Sequence, residues 1–273
     1  MIPVRALETV VKELRPELVD DYLRFFDQVY TEDPWLNTQN NPWWGICYCG
    51  FYDDPRTEQE RNTAPDAANK NRDRRAETIR SGKAHGLLAY VDGKIVGWCN
   101  AGPRTSYRNL HNLVPAGEFP GEVGSILCFV VAAPFRGKGV CTSLLHAACD
   151  KLRDDGLEVA EGYPSTLPPD VNNPYNTPAE NQNYRGPLRM FLKSGFAVHQ
   201  QLERHAIVRK PLGPRRPGES GLVYVALLPG QPLVPVSKVR ALHSHRLQIR
   251  QEERPAHELR NLPFSGRPRI SHL

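Results

Sequence analysis

The 273-residue sequence lacks an apolar run long enough to cross a bilayer, and its mean hydropathy is -0.51; this excludes a helical integral membrane protein. The opening stretch MIPVRALETVVKELRPEL has no unbroken apolar segment behind a basic one, so no secretory leader is read there. Six cysteines are present (Cys47, Cys49, Cys99, Cys128, Cys141 and Cys149), and none lies in a CxxC pair. Without a leader, reduced thiols and a cytoplasmic location are expected. The phosphate-loop pattern, GxxxxGK followed by Ser or Thr, is also missing, as is the third glycine of GxGxxG. Two nucleotide-binding fingerprints are thereby excluded by spacing. At 40% hydrophobic and 24% charged residues, the chain can bury a real core, and wholesale disorder is excluded.

The formal net charge of +5 is not spread evenly. Residues 1–213 carry 25 Lys+Arg against 26 Asp+Glu, whereas residues 214–273 carry 10 against 4. The second stretch also holds eight of the 25 prolines, and it opens on PRRPGESG, a linker composition. The chain thus divides into a near-neutral domain at 1–213 and a basic Pro/Arg-rich extension at 214–273 that is expected to be flexible. The extension has no interleaved aromatics, so nucleic acid is not an expected partner.

Within the first region, residues 4–7 could open a short strand. Leu18, Val19, Tyr22, Leu23, Phe25, Phe26 and Val29 recur at helical period over 17–30. Residues 57–81 read as helix with a break before Pro65. LLAYVDGKIVGWCN is a hairpin turning at Asp92-Gly93. VGSILCFVV (123–131) is a strongly apolar strand, 137–155 an amphipathic helix ending at Gly156, and 157–163 another strand. A short helix over 186–193 and two closing strands, 196–201 and 204–210, complete the order. That order implies an α/β mixed sheet covered by helices.

The chemistry-bearing segment is SILCFVV, then AAPFRGKGV, then CTSLLHAACDKL. Gly137 and Gly139 free the backbone where a helix begins. The first amides of a helix lack internal partners, and its dipole adds positive potential. Such a turn suits an anion, most simply a phosphate or pyrophosphate, and Arg136 and Lys138 add full charges.

Residues 123–152, centred on Arg136-Gly137-Lys138-Gly139-Val140, resemble the acetyl-CoA-binding core of the GNAT N-acetyltransferase superfamily. GPLRMFLKSGFAVHQQLERHAIVRK (186–210) is similar to the family's last helix and closing hairpin, and LLAYVDGKIVGWCN to its central hairpin. The likeness covers about residues 2–212. It implies a GNAT-like fold with splayed central strands, here 123–131 and 157–163. It also implies acetyl transfer from acetyl-CoA, as co-substrate and without a metal, to a primary amine of a small molecule or peptide, by direct attack in a ternary complex. Backbone groups of Phe129, Val130 and Val131 would pair with the pantetheine arm. Amides of Arg136, Gly137, Lys138, Gly139, Val140 and Cys141 would cradle the pyrophosphate. The amide of Val131 or a neighbour would hold the oxyanion. A homodimer is left open, and a non-catalytic acyl-CoA-binding module is the alternative function.

The sequence departs from the family pattern at three positions. Cys141 occupies a position usually held by Gly or Ala. Phe191 aligns with the tyrosine that protonates the leaving thiolate, and Tyr184 with the asparagine seven residues earlier. Tyr163 or Tyr184 could take over as acid, or the thiolate could leave unaided. Glu122 stands where the family often places a base; Glu161 is the alternative carboxylate, unless it faces outward. His146 is read as a surface or packing histidine. Trp43, Trp44, Tyr48, Phe51 and Tyr52 could line an aromatic wall for a flat or cationic acceptor, or simply anchor their loop. Cys47, Cys49, Cys99 and Cys128 lack the spacing of zinc knuckles, so no metal is expected.

Overall fold

The computed structural model of the protein describes residues 8–32, 47–62, 66–115, 122–166, 184–214, 224–225 and 234–235. Residues 4–7 lie outside these, and the first strand is instead β1 (Val10–Glu13). Helix α1 (Val19–Glu32) follows the apolar period expected there, while the polar stretch divides into α2 (Glu58–Asn62) and α3 (Ala67–Arg80) on either side of Pro65. Strands β2 (Leu87–Val91) and β3 (Lys94–Pro103) form the hairpin. Its turn needs two consecutive residues at positive φ, and Asp92 (49°) and Gly93 (76°) supply them. The remainder is β4 (Val123–Val131), α4 (Val140–Asp154), β5 (Val159–Gly162), α5 (Leu188–Lys193), β6 (Ala197–Gln201) and β7 (Ala206–Pro211).

These strands make one seven-stranded mixed sheet in the order β1-β2-β3-β4-β5-β7-β6. Every neighbouring pair is antiparallel except β4 with β5. A parallel pair needs a crossover, and α4 is that crossover. One sheet face takes the apolar side of α4, with Val140, Leu144, Leu145, Ala148 and Leu152 packed on Leu87, Ala89, Ile126 and Phe129. Leu144, Leu145 and Leu152 are completely buried, each contributing about 2 kcal/mol of transfer free energy. The opposite face takes α1 and α3, where Tyr22, Phe26 and Ile79 cover Leu88, Tyr90 and Trp98. No helix among the described residues is long and apolar enough to cross a membrane.

Two two-residue strands, β8 (Tyr224–Val225) and β9 (Val234–Pro235), pair with each other. By the density of its internal contacts the chain divides into units Met1–Val236 and Ser237–Leu273.

His146 on α4 is indeed a packing residue, with Nε2 3.2 Å from the Ser194 hydroxyl. Burial, and then the nearby Lys210 charge, push its pKa down to about 4. The unfolded chain takes up this proton near pH 6.5 while the folded chain refuses it, so the contribution is intact above 6.5 and is lost as pH falls toward 4. At about 1.4 kcal/mol per unit, up to about 3 kcal/mol is at stake. His146→Gln, which can keep the hydrogen bond, is expected to flatten the acid side of the stability profile. Identical losses of Tm between pH 7 and 4.5 in both proteins would contradict this.

Candidate active site

Strands β4 and β5 pair from Val123 with Val159 to Ile126 with Gly162, and then part. The reasons are local. Leu127 is bulged: the β3 register steps from Asn100 with Cys128 to Ala101 with Ile126, which bends β4 and re-aims its last residues. Across the gap, the ring of Phe191 lies over Gly162, where a Cβ would come within 2.4 Å of it. Phe191 is completely buried, edge-on to Phe196 at 5.1 Å and to Phe129 at 6.4 Å. At the position where a tyrosine is usual, this ring is core.

Beyond the parting point, β4 is bonded to β3 on one edge only. Ala132 donates to the Val96 carbonyl, and alternation along an antiparallel pair then turns the peptide groups of Phe129 and Val131 toward the gap. Val130, expected beside them, has its peptide groups turned to Trp98 on β3 instead, and its side chain packs on the face covered by α1 and α3. The gap edge is partly engaged: Phe129 N–H donates to the Tyr184 carbonyl at 2.6 Å, and the Val131 carbonyl accepts from Arg136 Nε at 2.9 Å.

The chain leaves β4 through a 3-10 turn, Ala133–Phe135, into Arg136, Gly137, Lys138 and Gly139. Gly137 (φ 71°) and Gly139 (φ 88°) both take the left-handed conformation, and Gly139 is the N-cap of α4. The Gly139 carbonyl receives Ser143 N–H at 3.0 Å, so the amides of Val140, Cys141 and Thr142 precede the first intrahelical bond. Lys138 lies over the exposed side of the turn, 5.9 Å from the Phe135 ring. Burial raises the Cys141 thiol to about 12, against the lowering effect of Arg136; it serves as a small apolar group beside the helix start.

The carboxylates and tyrosines separate clearly. Glu161 does not face outward. It is completely buried, accepting from Tyr163 Oη at 2.6 Å and Arg209 Nε at 2.6 Å, with Arg104 Nη1 at 3.3 Å. Tyr163 is bound on both sides, its hydroxyl also 2.8 Å from Ser125; burial and then Glu161 raise its pKa well above the ordinary value. Glu122 is exposed in the turn ahead of β4, its carbonyl receiving the amides of Glu158 and Val159. It stands at the closed end of the β4–β5 pair, about 13 Å of strand from Ile126. Tyr184 lies at the gap itself, its phenol beside Tyr52, Cys128 and Cys47, with burial raising its pKa and Arg185 opposing.

Of the proposed aromatic wall, Trp43 and Trp44 lie outside the described residues. Tyr48 and Tyr52 are buried, and Phe51 stacks edge-on to Tyr52 at 5.1 Å. Tyr48 Oη donates to Asp27 at 2.8 Å, which anchors the loop to α1. One residue near this loop went unremarked in the sequence: Asn100, a polar side chain within the apolar run GWCNAG, is fully interior and bonded to Cys49 and Tyr107. A polar residue in the middle of a buried strand was its available signal.

A mixed sheet opened between its one parallel pair, with a glycine-rich turn and a helix N-terminus beside the opening, is the arrangement that the resemblance to GNAT proteins implied. Residues 48–163 match the model of the acetyltransferase (GNAT) family. No curated protein matches the sequence significantly. Among solved structures, similarity extends to an acetyltransferase of the GNAT family from Streptococcus pneumoniae: 16% identity, 76% of this chain and 100% of that one, TM-score 0.41. It extends likewise to PaiA N-acetyltransferase from Thermoplasma acidophilum in complex with coenzyme A: 14% identity, 75% and 99% covered, TM-score 0.41. An aminoglycoside acetyltransferase, also in complex with coenzyme A, has 13% identity, 74% and 94% covered, and a TM-score of 0.46.

Proposed function

We propose that this protein transfers the acetyl group of acetyl-CoA to a primary amine of a small molecule or peptide by direct attack in a ternary complex. The observation that carries the reading is the parting of β4 from β5 after Ile126 and Gly162, directly ahead of the Arg136–Gly139 turn. An extended ligand ending in a diphosphate suits both parts. The edge at Phe129 and Val131 would receive the amides of the pantetheine arm, in exchange for the Tyr184 carbonyl now on Phe129. The turn from Arg136 to Cys141 would receive the pyrophosphate, with Lys138 adding charge. The Val131 amide, facing the gap, is assigned to the developing oxyanion.

Tyr184 is the better candidate for protonating the leaving thiolate, because its backbone meets Phe129 at the gap edge and its phenol is hydrogen-bonded to the neutral Tyr52, whereas that of Tyr163 is held between the Glu161 carboxylate and Ser125. Glu122 would reach an acceptor amine only through a chain of waters, given its position at the far end of β4. Location in the cytoplasm and a homodimeric state belong to the same reading.

The test is calorimetric titration with acetyl-CoA, followed by a screen of amines for release of free CoA. Micromolar binding with turnover is expected; binding without turnover on any amine would favour a non-catalytic module. Tyr184→Phe is expected to lower kcat about 10²-fold while KM for acetyl-CoA stays within a few-fold. An unchanged kcat would remove Tyr184 as the acid.

A further inference from the structure

Acyl transfer makes no use of the thiols gathered behind the gap. Cys49 sits in a loop where both it and Tyr48 adopt left-handed φ, 45° and 42°, a conformation that non-glycine residues hold only when their surroundings impose it. The surroundings here are donors. Asn100 Nδ2 reaches the Cys49 carbonyl at 3.1 Å and its Sγ at 3.6 Å. Tyr107 Oη donates to Asn100 Oδ1 at 2.8 Å, which fixes the amide so that its NH2 side faces the sulfur. The indole N–H of Trp98 is buried without an oxygen or nitrogen acceptor and borders the same sulfur. Arg75, 1% exposed, brings a full positive charge. Cys128 is the cross-strand partner of Asn100, shares its face of the sheet, and packs on the cluster that contains Cys49.

Cys47 from its own loop, Tyr22 from α1, Cys99 from β3 and Tyr107 also face Cys49, and Arg75 is itself paired with Asp53 at 2.7 Å. Burial alone would raise the Cys49 thiol. The Cys128 thiol, the Arg75 charge and the contacts of Trp98 and Asn100 outweigh it and hold the thiol below its ordinary value. The other five thiols all lie higher: Cys47, Cys141 and Cys149 at about 12, Cys99 and Cys128 well above the ordinary value. A thiolate is the reactive form of cysteine. Cys49 is only 5% exposed, so an electrophile that reaches it must be small. Cys128 is half-buried and within reach as a second thiol.

We propose that Cys49 is a peroxide-reactive thiolate and Cys128 its resolving thiol, so that hydrogen peroxide converts the pair into a disulfide across the loop and β4. The Cys49 sulfur attacks one peroxide oxygen; an S–O bond forms, the O–O bond breaks, and hydroxide leaves to become water. Cys128 then attacks the sulfenic sulfur; the S–S bond forms, the S–O bond breaks, and the Cys128 proton leaves with the oxygen as a second water. Two thiols and one peroxide thus give one disulfide and two waters.

The test uses the full chain and does not depend on acetyl transfer. The protein is exposed at pH 7 to a few equivalents of hydrogen peroxide, and its peptides are mapped by mass. The expected product is a Cys49–Cys128 disulfide, formed at least tenfold faster than any oxidation of Cys99, Cys141 or Cys149 and reversed by dithiothreitol. In Cys128→Ser the reaction is expected to stop at a Cys49 sulfenic acid that dimedone traps. Six intact thiols under conditions that oxidise free cysteine would overturn the proposal, as would a disulfide through Cys47 or equal oxidation of all six. The wild-type map decides alone should the variant not fold.

Discussion

Gly139→Asp is expected to weaken acetyl-CoA binding by at least 10²-fold while the protein stays folded. Gly139 is exposed and caps α4 at φ 88° and ψ -5°. Any side chain there costs about 1 kcal/mol of backbone strain, which the buried side of α4 can absorb. The carboxylate matters more. It would stand at the first amides of the helix and compete for the donors that the reading reserves for a diphosphate. Two unit charges about 5 Å apart at an effective dielectric of 20 repel by roughly 3 kcal/mol, and a tenfold change corresponds to about 1.4 kcal/mol. Gly139→Ala separates the causes: it carries the strain without the charge, and its affinity should stay within tenfold of wild type. Calorimetry on the three proteins, with Tm as the folding control, measures the difference. Wild-type affinity in the aspartate variant would refute the phosphate-turn assignment.

The second large effect is on stability. Glu161→Ala should lower Tm by about 10 °C. The Glu161 carboxylate is completely buried between Arg104, itself 1% exposed, and Arg209. Removing it takes the Glu161 charge away from both guanidinium groups, and breaking such a buried pair costs about 3–5 kcal/mol; in a domain of this size each kcal/mol is worth about 2–4 °C. Glu161→Gln should recover part of the loss, since an amide oxygen can still accept from Tyr163 or Arg209. Thermal unfolding by circular dichroism reads both variants. An alanine variant melting within 2 °C of wild type would mean that water already shields the cluster.

Much of the architecture was legible because its causes are local. The Asp92-Gly93 turn, the apolar run of β4, the period of α1 and the break at Pro65 each act within a few residues of chain, and these elements form where expected. Strand β1 was not read, because Val10–Glu13 is short and is a strand only by pairing with β2. Glu161 illustrates a deeper limit. Alternation along β5 gives its face but not the groups that cover that face, and the covering arginines come from the turn after β3 and from β7. The glycine turn was legible as the start of α4; the Tyr184 carbonyl on Phe129 was not, since a backbone contact between distant segments leaves no mark on side-chain pattern.

The parallel pairing of β4 and β5 stops after four residue pairs, and this sets a trade between durability and use. Five more pairs of that ladder, carrying it to Val131, would satisfy Phe129 and Val131 permanently and make the sheet harder to unzip. They would also erase the one edge of the sheet interior that remains free to exchange partners. In this reading, selection acts on the unfinished length of a ladder as much as on any side chain, and stabilising variants found by extending β5 should be the ones that lose acetyl-CoA.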